Sequence, residues 1–149
     1  MLNEDNVLFI LIEYLFWKGW KILAYKSPGG HGGMIINVKG QPIMIPDMIA
    51  YKEPFLLCVE AKPNYSFKDK NKLDLLFSNN LLFSCLKNKC TMELVKQRIK
   101  VPQYICYIKT LAYAKGTEVP GDFIVFKISK SEDVLVYIGN KLDININDI

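Results

Sequence analysis

Ile45-Pro46-Asp47-Met48-Ile49, followed after a short turn by Phe55-Leu56-Leu57-Cys58-Val59-Glu60-Ala61-Lys62, decides how this chain is read. The second stretch reads as a buried strand whose last residues turn polar, and strand period two puts Glu60 and Lys62 on one face. Asp47, in the neighbouring strand context, completes a set of two carboxylates and a lysine. Burying three charges beside an apolar strand is costly unless they pair or hold a metal, so the arrangement points to a site. Asp47 and Glu60 are hard oxygen ligands of the kind Mg²⁺ or Mn²⁺ takes, usually together with several waters and a substrate phosphate. Phosphodiester hydrolysis needs such a cation and an oriented water, and a lysine beside them can steady the growing negative charge.

The flanking sequence gives the order of elements. Asn3, Glu4 and Asp5 supply a cap and first-turn acids for a helix to about Lys18, with Gly19 as its stop. That helix is apolar nearly all round from Val7 to Trp17, which predicts burial on more than one side, in a central position or at a subunit interface. A strand from Trp20 to Tyr25 follows. Ser27-Pro-Gly-Gly-His-Gly-Gly33 can only be a loop, either a plain connection or one whose amides meet a phosphate. Strands are expected over 34–38, 43–51 and 55–62, then a polar connection from Tyr65 to Lys72 and a second helix from Leu73 to Lys89. That helix reads as the crossover to a strand over 103–109, with further strands over 122–128 and 134–138. The last segment, 141–149, alternates enough to add an edge strand.

Pro46-Asp47 and Glu60-Ala61-Lys62, in this order of helix, strands, helix and strand, resemble the PD-(D/E)XK nuclease superfamily. The pattern is also similar to archaeal Holliday-junction resolvases and small restriction-type nucleases. The resemblance covers roughly residues 3 to 110 and rests on four or five positions. It implies an α/β, restriction-endonuclease-like core, a central mixed β-sheet flanked by helices in αβββαβ order. It implies Asp47, Glu60 and the carbonyl of Ala61 around Mg²⁺ or Mn²⁺, with Lys62 orienting the attacking water or stabilising charge. Burial beside a metal would lower the pKa of that lysine. Such nucleases commonly add an acid from the opening helix that supports the metal, for which Glu4 and Glu13 are the candidates. They point to opposite sides of the helix and cannot share the task. Glu4 is the preferred one, although a first-turn acid also serves the helix dipole. Glu13 stands in an apolar run and would need a partner there.

Composition sets the limits. A chain of 149 residues, half of them apolar, is expected to form one domain, residues 1–149, around a sizeable core. Lys and Arg exceed Asp and Glu by 19 to 15, a mildly basic balance compatible with DNA. DNA contacts are expected from Ser27, Gly30 and His31 in the Gly-rich loop and from Lys68 and Lys72. A second group of bases, Lys87, Lys89, Lys96, Arg98 and Lys100, lies further on. The amino terminus has no signal-peptide pattern and no apolar run long enough to span a membrane, so a cytoplasmic protein is expected. Cys58, Cys85, Cys90 and Cys106 form no CxxC pair and read as reduced, buried thiols. His31 is the single histidine, which argues against a His-Cys zinc site and against a Ser-His-Asp triad.

These residues lead to a metal-dependent DNA endonuclease. The chain leaves little room for a specificity domain, so structure-selective cutting, or service as the nuclease of a restriction or phage-defence complex, is expected over stand-alone reading of a long site. The partners are then DNA and a second copy or a partner subunit. Two alternatives remain at this stage: a Holliday-junction resolvase, and a non-catalytic nucleic-acid-binding or assembly module of the same fold.

Overall fold

The computed structural model describes residues 2–27 and 30–149; Pro28 and Gly29 of the Gly-rich loop lie outside the described residues. The first helix, α1 (Glu4–Trp17), begins with a capping box in which Asn3 and Asn6 each accept from the other's backbone N–H. It stops before Gly19, which takes a φ of +90° that a residue with a Cβ rarely adopts. Three strands follow: β1 (Lys21–Tyr25), β2 (Met48–Lys52) and β3 (Phe55–Asn64). Then come α2 (Phe67–Ser78), α3 (Asn80–Lys96), β4 (Cys106–Lys115), β5 (Phe123–Ile128), β6 (Val134–Ile138) and a 3₁₀ turn, Ile146–Asp148.

The six strands form one mixed sheet in sequence order, β1 to β6. Pairing is antiparallel for β1–β2, β2–β3 and β5–β6, and parallel for β3–β4 and β4–β5. β3 is a near-continuous apolar run because both its faces are covered. On one face Leu57, Val59 and Ala61 pack with Val7, Leu11 and Leu15 of α1. On the other, Leu56 and Cys58 pack with Leu73 and Leu76 of α2 and Leu82 and Leu86 of α3. Strand alternation therefore sends Glu60 and Lys62 to the α2 side, at the end where the buried apolar row runs out.

The structure departs from the sequence reading in several places. Only one face of α1 is buried; Phe9, Phe16 and Trp17 face outward, and Glu13 is exposed, so it needs no partner. Residues 34–38 form no strand but a single bridge, Ile36 to Met44, and the 43–51 strand shortens to β2. The Tyr65–Lys72 connection is mostly helix: Ser66 caps α2 by accepting from the Asp69 N–H. The second helix is two helices, because the Asn79 side chain accepts from the N–H groups of Leu81 and Leu82 and starts α3 afresh. β4 runs on to Lys115 rather than ending at 109. The C-terminal segment adds no strand; Ile149 is buried, and its carbonyl accepts from the Trp20 indole N–H. No helix among the described residues is long and apolar enough to cross a membrane.

Candidate active site

Asp47 lies just before β2 and is 6% exposed; Glu60, on β3, is 3% exposed. The two strands are antiparallel neighbours, and this brings the residues face to face. The Asp47 N–H donates to Glu60 Oε2 at 2.8 Å, and the Ala61 N–H donates to Asp47 Oδ2, also at 2.8 Å. Each carboxylate thus holds the backbone beside the other. Lys72, on α2, donates to Glu60 Oε1 and to the Ile45 carbonyl. Lys62 turns toward the start of α1, where its Nζ lies 3.1 Å from Glu4 Oε2. Asp69, one helical turn from Lys72, is buried in the tight space between Glu60, Lys62 and Tyr113.

Glu4, Asp47 and the Glu60–Lys62 pair, from three separate segments, therefore meet toward the carboxyl end of β3, a central strand of the sheet. The electrostatics follow from burial and like charge. Glu60 is pushed up to about 7, chiefly by burial and then by the Asp47 charge, with Lys72 pulling the other way. Asp47 is raised by burial, against the Ala61 hydrogen bond. Asp69 is raised by burial as well, with Lys62 opposing. Lys62 departs from expectation. Burial alone would lower it, but its hydrogen bond to Glu4 and the nearby carboxylates outweigh that and raise it. It is a firm ammonium, a donor in all directions and an acceptor in none.

A cleft of about 220 Å³ opens over Asp47. Glu4, Asp5 and Leu8 line one side of it, and Lys26, Ser27 and Gly30 the other. Ser27 and Gly30 thus line the cleft, whereas His31 is exposed and is not among the lining residues; its carbonyl accepts from the Ser27 N–H and hydroxyl. Lys68 and Lys72, expected at DNA, do not act together although four residues on a helix bring them to neighbouring positions. Lys68 is exposed, Lys70 pairs with Asp74 at 2.6 Å, and Lys72 turns inward onto Glu60.

Asp69 and Lys26 were missed in the sequence. Asp69 had a signal: Ser66 three residues before it and Leu73 and Leu76 after it at helical spacing mark a capped helix whose inner face includes position 69. Lys26 had none, since its place depends on the Gly-rich loop folding back beside α1.

Among the described residues no group of three or more His, Cys, Asp or Glu side chains is gathered as a ready-made metal cage. The donor chemistry nevertheless fits a hard divalent ion. Two buried carboxylates lie side by side with one lysine, Lys72, on Glu60; burial and, after it, the Asp47 charge raise Glu60, and a cation would favour the ionised form of both acids. Comparison of the chain with family models, with curated proteins and with solved structures found no match. Residues and geometry alone therefore carry the functional reading.

Proposed function

We propose that the protein is a Mg²⁺- or Mn²⁺-dependent endodeoxyribonuclease with a restriction-endonuclease-like core. The observation that carries this is the convergence of Glu4, Asp47, Glu60 and Lys62 from α1, the β2 approach and β3 at one end of the central strand, with Asp47 and Glu60 buried, beside an open cleft. A mere salt-bridge network would sit better at the surface, because burying like carboxylates together costs stability that a functional site tolerates.

In this reading Asp47 and Glu60 hold the ion, with the Ala61 carbonyl beside them, and the ion supplies positive charge against that growing on the phosphate. The mutual backbone hydrogen bonds fix both carboxylates before substrate arrives, so little reorganisation is left for the reaction. Lys62, a cation tethered by Glu4, orients water and donates to a phosphate oxygen; it is not the base. Glu4 positions Lys62. DNA enters over the cleft, where Lys26, Ser27 and Gly30 meet the backbone. Cutting both strands calls for a second copy or a partner subunit, and the outward Phe9, Phe16 and Trp17 of α1 are the candidate contact.

The test is cleavage of linear, supercoiled, single-stranded and four-way-junction DNA with Mg²⁺ or Mn²⁺, comparing the native protein with Asp47→Ala and Lys62→Ala. Cleavage lost in both variants and with chelator supports the proposal, and the preferred substrate separates a general endonuclease from a junction resolvase. Cleavage that survives Asp47→Ala, or a protein that neither cuts nor binds metal, overturns it in favour of a non-catalytic module.

A further inference from the structure

Lys72 places its ammonium on Glu60 Oε1. Its ammonium donates to two oxygens, Glu60 Oε1 and the Ile45 carbonyl, the latter at 3.2 Å. A carboxylate and a backbone carbonyl are the donor types a hard metal ion also selects. Lys72 is the sole side-chain cation bonded to Glu60 among the described residues, and Lys62, the other nearby lysine, is engaged by Glu4. The neighbouring lysines show that this is a placement rather than a crowd of charge: Lys68 points to solvent and Lys70 is taken by Asp74. The inward face of α2, with Asp69, Leu73 and Leu76 buried, carries Lys72 at its margin and fixes its approach to β3.

We propose that Lys72 is the built-in counter-ion of the metal-free site, and that a divalent ion binding Asp47 and Glu60 must displace the Lys72 ammonium from Glu60 Oε1. The inference rests on the nuclease reading for its metal, and it assigns Lys72 a positioning role that is separate from phosphate binding at a basic surface. Two consequences follow. Lys72 protects the metal-free protein from two uncompensated buried carboxylates, and it opposes metal by competing for the same oxygen.

The experiment is calorimetric titration of Mn²⁺ at pH 8 into the native protein, Lys72→Met, Lys72→Gln and Asp47→Asn, with thermal melts of each with and without Mn²⁺. Competition predicts that Lys72→Met binds Mn²⁺ roughly ten- to a hundredfold tighter than native, the worth of one hydrogen bond to a charged group. The Mn²⁺-induced rise in melting temperature should also be larger in Lys72→Met, because its metal-free form is the weaker one. Should Lys72→Met fail to fold, Lys72→Gln, which keeps a neutral donor, must show the same tightening. If native and Lys72 variants bind Mn²⁺ equally, or the variants more weakly, Lys72 is no competitor and the inference falls while the metal site stands. If none of them binds Mn²⁺, the nuclease reading itself falls.

Discussion

The backbone N–H of Asp47 donates to Glu60 Oε2 at 2.8 Å, so the carboxylate of one strand pins the backbone that carries its partner carboxylate. Two buried acids are locked at short range; burial raises both, and the Asp47 charge raises Glu60 further. Such an arrangement serves function at the expense of stability. Asp47→Asn keeps the shape and an acceptor for the Ala61 N–H while removing one charge. We expect its melting temperature in chelator at pH 8 to equal or exceed that of the native protein, with cleavage and Mn²⁺ binding lost. A drop of several degrees would instead make Asp47 a structural residue.

Metal binding should strengthen with pH through neutrality. The folded pKa of Glu60, about 7, lies above its ordinary 4.5, so between these values the folded protein holds a proton that the unfolded chain has released. This group's contribution to metal-free stability therefore falls as pH rises from 4.5 to 7 and stays low above 7. A metal needs the ionised carboxylate, and at pH 6 it must expel that proton. Titrations of Mn²⁺ in buffers of differing ionisation heat should show about one proton released per ion at pH 6 and almost none at pH 8.5. Equal affinity and no proton release at both values would place Glu60 outside the metal site.

Lys62 and Glu4 are half-exposed, 39% and 44% by side chain, so solvent screens their pairing. Their contribution to stability is about 0–1 kcal/mol, and Lys62→Met should melt within roughly 4 °C of native. Cleavage, by contrast, should fall by roughly 10² to 10³, the loss typical of removing one charge-stabilising donor. Glu4→Gln should retain most of the fold and lose activity less steeply, because Lys62 keeps its charge without its tether. A Lys62→Met protein that cuts normally would assign the pair to the surface.

The site was legible in the sequence where local pattern alone decides it. Asp47, Glu60 and Lys62 are placed by strand period and by β2–β3 pairing, which neighbouring sequence specifies. The 5-residue β6 and the start of α1 follow from alternation and from Asn3 as a cap. What escaped depends on competition between local and tertiary terms. Met34 to Val38 has strand composition, yet Gly32, Gly33 and Gly40 bound it and leave a single bridge. Residues 66–72 are polar enough to read as a loop, but Leu73 and Leu76 bury against the sheet and carry the preceding turn into helix. Lys72 was legible as a basic residue and not as a partner of Glu60, because the turn of α2 that aims it inward was itself missed.

The cysteines divide by burial, and thiol labelling should report the division. Cys58 is raised well above the ordinary thiol value, first by burial and then by the Glu60 charge; Cys90 is pushed up to about 12 by burial. Thiolate is the reactive form, so both should resist reagent in the folded protein. Cys85 and Cys106 are only half-buried and remain free thiols. Mass spectrometry after iodoacetamide at pH 8 should find these two modified, with Cys58 and Cys90 joining only in denaturant. Labelling of Cys58 in the native protein would mean that β3 opens at the floor of the site.

Lys109 offers the counterpart to Lys72, a lysine on two acids with no access to the cleft. On β4 its ammonium donates to Asp74 of α2 at 2.7 Å and to Asp122, and it lies 4.8 Å from the centre of the Phe123 ring. It is 13% exposed by side chain, so it clamps α2 and the start of β5 onto the sheet away from the Asp47–Glu60 pair. Removing it leaves Asp74 without its largest stabilising partner, which now holds that carboxyl below its usual value against the opposing effect of burial. Lys109→Met should cost about 1.5–3 kcal/mol in urea unfolding, the worth of hydrogen bonds to charged groups. Its Mn²⁺ affinity should match the native protein, in contrast to the tightening expected of Lys72→Met. A Lys109→Met protein of native stability would show the clamp to be idle, and one with altered Mn²⁺ affinity would show that α2 transmits strain from this pair to Glu60.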